Sequence, residues 1–285
     1  MTTKPLFAFL LLVSFPCAVS GQAPGRVQVG VCLDADKFEA AQAAGFDYVE
    51  IGASKVAALT DEEFRQLATR IGGLRIPVAA ANVFIPATIK IVGPNIDKAR
   101  QESYVSTTLG RLKALGVAVV VLGSGGARRV PDGFAREEAL AQLVDFCRRI
   151  APLARETGIT IAIEPLRRQE TNIINTAREG LALVKAVDRP EIKLLVDYYH
   201  LAEEGEGADV LLEAGKQIVH THIANPKGRV YPLSPAESSY AGFFENLCKI
   251  RYAGRMSIEA STPDFATQAP QSLAMLRKEL ACTAR

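Results

Sequence analysis

The stretch REEALAQLVDFCRRIAPLARETGITIAIEP, residues 136–165, contains one complete structural unit. In its first part apolar residues recur at three- and four-residue intervals, the period of a half-buried helix. Gly158 follows, a residue that ends helices in the left-handed conformation. ITIAI then runs with no polar alternation, so both faces of this strand are buried, as in a parallel sheet covered by helices. The same texture recurs along the chain. RVQVGVC (26–32), DYVEIG (47–52), IPVAAANVF (76–84), VAVVVLG (117–123), IKLLVDYY (192–199), QIVHTHIA (217–224) and RMSIEAS (255–261) read as strands beside ITIAIEP (159–165). Glycine again separates helix from strand in AAGFDYVEI and ALGVAVVVL, and Thr60 with Glu63 forms a capping box opening the helix TDEEFRQLATRIGG. Eight such units predict an α/β fold, a (β/α)8 TIM barrel in a single domain over residues 21–285. An open doubly wound sheet fits less well, because no GxGxxG follows the first strand. The least pronounced units are the first, with a short helix from Asp36 to Ala44, and the eighth, near the C-terminus.

The segment before the barrel has a different character. MTTKPLFAFLLLVSFPCAVSGQAPG places Lys4 ahead of an apolar run from Leu6 to Val13, with small residues at Ala18 and Ser20. This is the pattern of a cleavable signal peptide over residues 1–20, cut after Ser20, and predicts a periplasmic or secreted protein. The run is too short for a permanent membrane span. The 33 basic and 31 acidic residues are spread evenly, leaving net charge +2 and no face suited to nucleic acid. Cys32, Cys147, Cys248 and Cys282 are far apart and form no CxxC. They read as small core hydrophobes, with one incidental disulfide left open by export.

Chemistry in such a barrel sits where strands end. Strand five ends in Glu164, strand six in Asp197, strand seven in His222 and strand eight in Glu259. Carboxylates disfavour strands and are rarely buried without a partner. Three of them with one imidazole on four successive strands form a donor set for one divalent cation, Mn²⁺ foremost, with Co²⁺, Mg²⁺ or Zn²⁺ as alternatives. The chain has three histidines, and His220 shares the inward face of its strand with His222, one layer deeper. It reads as a buried support, as a hydrogen-bond partner of a ligand. Glu50, Asn82 and Phe84 are further candidates to line the pocket. GSGGARR (123–129) reads either as an anion cradle helped by Arg128 or as a glycine-rich turn. LAEEGEG (201–207) reads as a solvated acidic loop.

Four motifs carry a family resemblance: IAIEPLRRQETNIINT (161–176), LLVDYYHLAEEG (194–205), HTHIANPKGRVYP (220–232) and SIEAS (257–261). They resemble the xylose isomerase-like sugar isomerase/epimerase barrels, nearest the D-tagatose/D-psicose 3-epimerases, with hydroxypyruvate isomerases and inosose dehydratases as relatives. ANVFIPATIKIVGP and VVLGSGGARRVPDGF extend the likeness to the third and fourth units. The resemblance implies that Glu164, Asp197, His222 and Glu259 bind one metal and that Glu164 and Glu259 are catalytic. It also implies that Glu170, His200 and Arg229 bind substrate oxygens, and that the protein forms a homo-oligomer, although no surface stripe marks an interface.

The expected reaction moves a proton next to the carbonyl of a free, non-phosphorylated sugar through an enediolate. A cation holding carbonyl and hydroxyl together acidifies the C–H between them, and two facing carboxylates can remove the proton and return it. Return to the same carbon gives epimerisation and return to its neighbour gives isomerisation. The competing reading is a metal-dependent lyase or dehydratase acting on a keto-sugar or 3-keto-glycoside. A multi-zinc phosphodiesterase is excluded by three histidines and the absent basic face. A non-catalytic sugar-binding module would have no use for both glutamates.

Overall fold

Eight parallel strands close into a barrel in the order β1 to β8. The strands are β1 Gln28–Cys32, β2 Tyr48–Gly52, β3 Val78–Asn82, β4 Val119–Leu122, β5 Thr160–Ile163, β6 Ile192–Asp197, β7 Ile218–Ile223 and β8 Arg255–Ile258. β8 pairs with β1 from Gln28↔Arg255 to Val31↔Ile258, which completes the circle. The computed structural model describes residues 26–284, so the signal segment expected over residues 1–20 lies outside the described residues. Among the described residues no helix is long and apolar enough to cross a membrane.

Every strand lies where its apolar run predicts, but most are shorter than the run. Val27, Val117 and Ile159 lie outside the paired segments and are still buried under the surrounding helices. Apolarity reports burial, and the hydrogen-bonded ladder is only part of what is buried. The three glycines between helix and strand all take left-handed backbone, with φ of 87° at Gly45, 89° at Gly116 and 73° at Gly158. The capping box at Thr60 and Glu63 forms in both directions.

The main core lies between barrel and helices. A small separate cluster of Val119, Val121, Ala162 and Leu195 fills the barrel interior, beside Tyr48, Ala79 and Ala80. The Tyr48 ring crosses the interior so closely over Gly30 that a side chain there would collide with it. All eight strands run the same way, so their C-terminal ends open onto one mouth.

Three expectations are corrected. Cys248 and Cys282 are disulfide-bonded, with Cα atoms 5.7 Å apart, tying the chain's last turn to the helix Ala241–Lys249. Of the four cysteines only Cys147 is a core residue, whereas Cys32 is half-buried at the mouth. The 201–207 loop is no solvated face. Glu206 accepts from the N–H groups of Ala177 and Arg178, where a helix begins with unpaired donors, and Glu204 accepts from Arg168 N at 2.7 Å.

Candidate active site

Strand geometry brings the four predicted donors together. Asp197 ends β6, and His222 sits beside it in register on β7. Glu164 and Glu259 lie one residue beyond β5 and β8 rather than inside them, yet their N–H groups still bond to Leu122 O and Ile223 O. One donor atom from each of Glu164, Asp197, His222 and Glu259 lies within 4.8 Å of all the others. His222 Nδ1 is 2.9 Å from Glu164 Oε1 and 3.5 Å from Glu259 Oε2. Asp197 Oδ1 accepts from Tyr199 N, whereas its buried Oδ2 has no hydrogen-bond partner among the described residues. Three crowded carboxylates, one buried oxygen without a partner and one imidazole nitrogen fit a divalent cation.

The electrostatics follow from the crowding. Burial, reinforced by Glu164 and Glu259, pushes the Asp197 carboxyl up to about 7 against the pull of His222 and Arg229. Burial and Glu259 raise Glu164 as well. For Glu259 burial acts upward, but His222 and Arg229 outweigh it and hold the carboxyl at about 2. Burial disfavours the imidazolium of His222, yet Glu50, Glu259 and Glu164 together lift its pKa well above the ordinary value. The two glutamates are therefore unequal, one inclined to hold a proton and the other to give it up.

His222 faces the donor ring with Nδ1 and the barrel interior with Nε2. Nε2 lies 3.1 Å from Glu50 Oε1, and Glu50 Oε2 lies 2.8 Å from His220 Nε2 and accepts from Ser257 Oγ at 2.6 Å. Tyr48 OH continues the chain to Ser257 Oγ at 2.7 Å. Glu50, His220 and His222 are all fully buried. Burial works against a charged Glu50, but His222 and His220 hold its carboxyl well below the usual range. His220 is thus a support, as expected, but its partner is Glu50 and not a ligand. Glu50 bridges both rings and fixes which nitrogen of His222 faces the donors. Sequence reasoning placed Glu50 only as a pocket-lining residue; the available signal was a carboxylate inside the apolar run YVEIG.

Two loops close over the ring. The segment after β5 folds back, with Leu166 N bonded to Ile174 O, and carries Glu170. The loop after β7 is pinned by the bridges Asn225↔Val230 and Val230↔Ser261 and carries Arg229. Arg229 donates to Glu259 Oε2 at 2.6 Å and to Glu170 Oε1 at 3.2 Å, and its guanidinium lies 4.5 Å from the Tyr199 ring centre. It holds φ at 49°, a left-handed backbone costing a non-glycine residue about 1–3 kcal/mol. Asn82 Nδ2 donates to the other oxygen of Glu259 at 2.8 Å.

Other expected residues lie elsewhere. His200 is 2% exposed behind Asp197, with Nε2 3.6 Å from Asp197 Oδ2 and Nδ1 accepting from Arg167 N. The structure does not bring it to the open cavity. Phe84 is fully buried and does not line the cavity. Arg128 is also buried, donating to the carbonyls of Leu122 and Glu164, and cannot reach an anion. The glycine-rich turn wins over the anion cradle, because a side chain at Gly123 would run into the Glu164 carboxylate.

Fold and mouth together define a (β/α)8 barrel with a carboxylate–imidazole site at its catalytic end. The family model described as xylose isomerase-like TIM barrel matches residues 38–279, and the chain belongs to that family. It is 32% identical over 227 residues to an L-ribulose 3-epimerase of Methylomonas sp., covering 78% of this chain and 76% of that one. It is 28% identical over 203 residues to a D-psicose 3-epimerase of Agrobacterium fabrum, covering 65% of each. The solved structure of a D-allulose 3-epimerase from Methylomonas sp. matches with a TM-score of 0.79 at 25% identity, covering 90% of this chain and 99% of that one.

Proposed function

We propose that the protein is a metal-dependent sugar epimerase/isomerase that moves a proton beside the carbonyl of a non-phosphorylated ketose. The observation that carries this reading is the four-donor ring with Glu164 and Glu259 on it, facing an open cavity of about 580 Å³. The names of the relatives, all ketose 3-epimerases in the comparisons above, favour epimerisation. Glu164, Asp197, His222 and Glu259 would hold the cation, Mn²⁺ in our reading, because three oxygens and one nitrogen suit it better than zinc. Once bound, a divalent cation supplies Lewis acidity to the carbonyl and adjacent hydroxyl of the sugar.

The protein's own residues divide the remaining work. Glu164 and Glu259, both on the ring and both reaching the cavity, are the carboxylates placed to take the proton and to return it. Arg229 and Glu170, which reach the cavity, orient the substrate's hydroxyls. His200 adjoins Asp197 and acts through it, since Nδ1 accepts from Arg167 N and the Nε2–H is left to face Asp197 Oδ2.

Incubation of metal-loaded protein with ketohexoses in D₂O, followed by NMR, tests the reading. Deuterium entering beside the carbonyl with the carbon skeleton intact is the expected result. Loss of water or of an aglycone would instead support the lyase reading, and no exchange together with no metal uptake would overturn both.

We also propose that residues 1–20 direct export and are removed after Ser20. The sequence pattern supports this, and a disulfide between Cys248 and Cys282 suits an oxidising compartment. N-terminal sequencing of the exported protein would give Gly21. The family resemblance also favours a homo-oligomer, which sedimentation velocity would decide.

A further inference from the structure

A run of alternating charge leads from the outside of the mouth to the donor ring. Arg167 and Glu170 stand three residues apart in a turn closed by Glu170 N, which donates to Arg167 O at 2.9 Å. Arg167 Nε donates to Glu170 Oε1 at 3.0 Å, and its Nη1 donates to Glu203 Oε2 at 2.9 Å, on the short helix Tyr198–Glu203. Arg229 donates to the same Glu170 Oε1 at 3.2 Å and to Glu259 Oε2 at 2.6 Å. Charges therefore alternate in sign from Glu203 through Arg167, Glu170 and Arg229 to Glu259.

One aromatic ring serves both cations. The buried Tyr199 ring has its centre 5.0 Å from the Arg167 guanidinium and 4.5 Å from that of Arg229. A ring face attracts a guanidinium, and more strongly where water is excluded. Tyr199 thus offsets the repulsion between two like charges that meet on one carboxylate oxygen. The main chain at Arg167 is held separately, by its N–H on His200 Nδ1 at 3.2 Å, and keeps that bond whatever side chain stands there.

The bonding of Arg229 is not what a guanidinium prefers. An unconstrained arginine–carboxylate pair closes bidentately, with two parallel N–H groups on the two oxygens of one carboxylate. Here the fork is split, Nη1 on Glu170 and Nη2 on Glu259. Arg167 opposes closure by pulling Glu170 from the other side and tying it to Glu203. Both guanidiniums bond to Oε1 of Glu170, which leaves Oε2 for a sugar hydroxyl. Glu170 and Arg229 line the open cavity, whereas Arg167 does not.

We propose that Arg167 is a positioning residue of this site: with Tyr199 it keeps Glu170 from closing on Arg229, so that Glu170 offers Oε2 to the ketose and Arg229 stays bridged to Glu259. This rests on the epimerase reading, in which Glu170 and Arg229 orient the substrate. Without Arg167 the two would satisfy each other instead of the sugar.

The test follows deuterium exchange into a panel of ketohexoses in D₂O with metal-loaded protein, then takes kcat and KM on the sugar that exchanges fastest. Arg167→Ala should lower kcat/KM by about tenfold or more, because misplacing a positioning group by about 1 Å costs up to about 10²-fold. A double-mutant cycle separates positioning from a general structural effect. With Glu170→Ala already in place, adding Arg167→Ala should change kcat/KM by less than about twofold, because the residue through which it acts is gone. Tyr199→Leu removes the ring face and should repeat the loss, which covers the case in which Arg167→Ala fails to fold. Tyr199→Phe keeps the ring face and should stay within about threefold of the wild type. Equal losses from Arg167→Ala with and without Glu170, or no loss at all, would overturn the positioning role and leave the epimerase reading standing. No exchange by the wild-type protein with any sugar would overturn the epimerase reading, and the positioning role with it.

Discussion

The two halves of the barrel do different work. β5 to β8 supply the four donors of the ring, from Glu164 to Glu259, whereas β1 to β4 supply no member of it, although Cys32 of β1 and Glu50 of β2 lie close to His222. The first half instead supplies the residues that grip it. Glu50 on β2 holds His222 from below, Asn82 on β3 holds Glu259 from the side, and the glycine turn after β4 leaves room for Glu164. It also supplies most of the mouth's lining over β1 to β3. A barrel can separate reactive groups from their supports in this way because closure sets strands distant in sequence face to face.

Removing either proposed proton carrier would break this division most severely, so the largest effect is expected in the second half. Glu164→Gln and Glu259→Gln should each lower kcat by about 10²–10⁴, the usual contribution of general acid–base groups. Both residues are also ring donors, so the comparison is made with the cation in excess, where inductively coupled plasma mass spectrometry should still find the site filled.

A first-half substitution should show the opposite balance. Glu50→Ala leaves His222 Nε2 buried without its partner and His220 Nε2 with only Ser257 Oγ at 3.5 Å, and metal affinity should fall by about 10–100-fold, the usual effect of losing a ligand's outer partner. Titration calorimetry would measure it. An unchanged affinity would show that the grip from β2 does not reach the ring.

The ring's acidity predicts a pH dependence. Asp197 retains its proton up to about 7, and a cation must displace it. Metal affinity should therefore rise from pH 5 to pH 8 and then level off. In protein stripped by a chelator the sign for stability is reversed. The raised pKa of Asp197 favours folding below its ordinary 3.8, and this contribution fades as pH rises through about 7. Thermal melts with and without metal should accordingly diverge as pH rises.

The smallest functional effect belongs to a site remote from both halves of the mouth. Cys248→Ser with Cys282→Ser should cost about 2–4 kcal/mol of stability by denaturant titration and leave kcat/KM unchanged.

The four ring residues were legible because each violates a local rule. Glu164, Asp197 and Glu259 close apolar runs where carboxylates are disfavoured, and His222 is one of three histidines in the chain. The eight-unit barrel was legible for a related reason, since helix periodicity, glycine caps and apolar strands are signals within a short window. Glu50 shows where such signals end. Inside YVEIG it is one odd residue among many, and its partner His220 lies 170 residues away. In sequence Arg128 reads as a helper of an anion cradle and Glu206 as part of a solvated loop; they prove to be buried and capping, because backbone groups that accept from or donate to them come from other units. His200 looked like a substrate contact three residues beyond Asp197. The short helix Tyr198–Glu203 turns it behind that residue instead.

By itself, then, the sequence determined the barrel, its single domain and which four residues, able to hold a metal, meet at its mouth. Those follow from periodicity and from conflicts between residue type and local burial, which operate over a few residues. Only the tertiary structure decided that Glu50 joins the two histidines, that Cys248 meets Cys282, and that His200 lies behind Asp197. Each of these depends on barrel closure and loop return, which bring together groups whose separation along the chain carries no periodic trace.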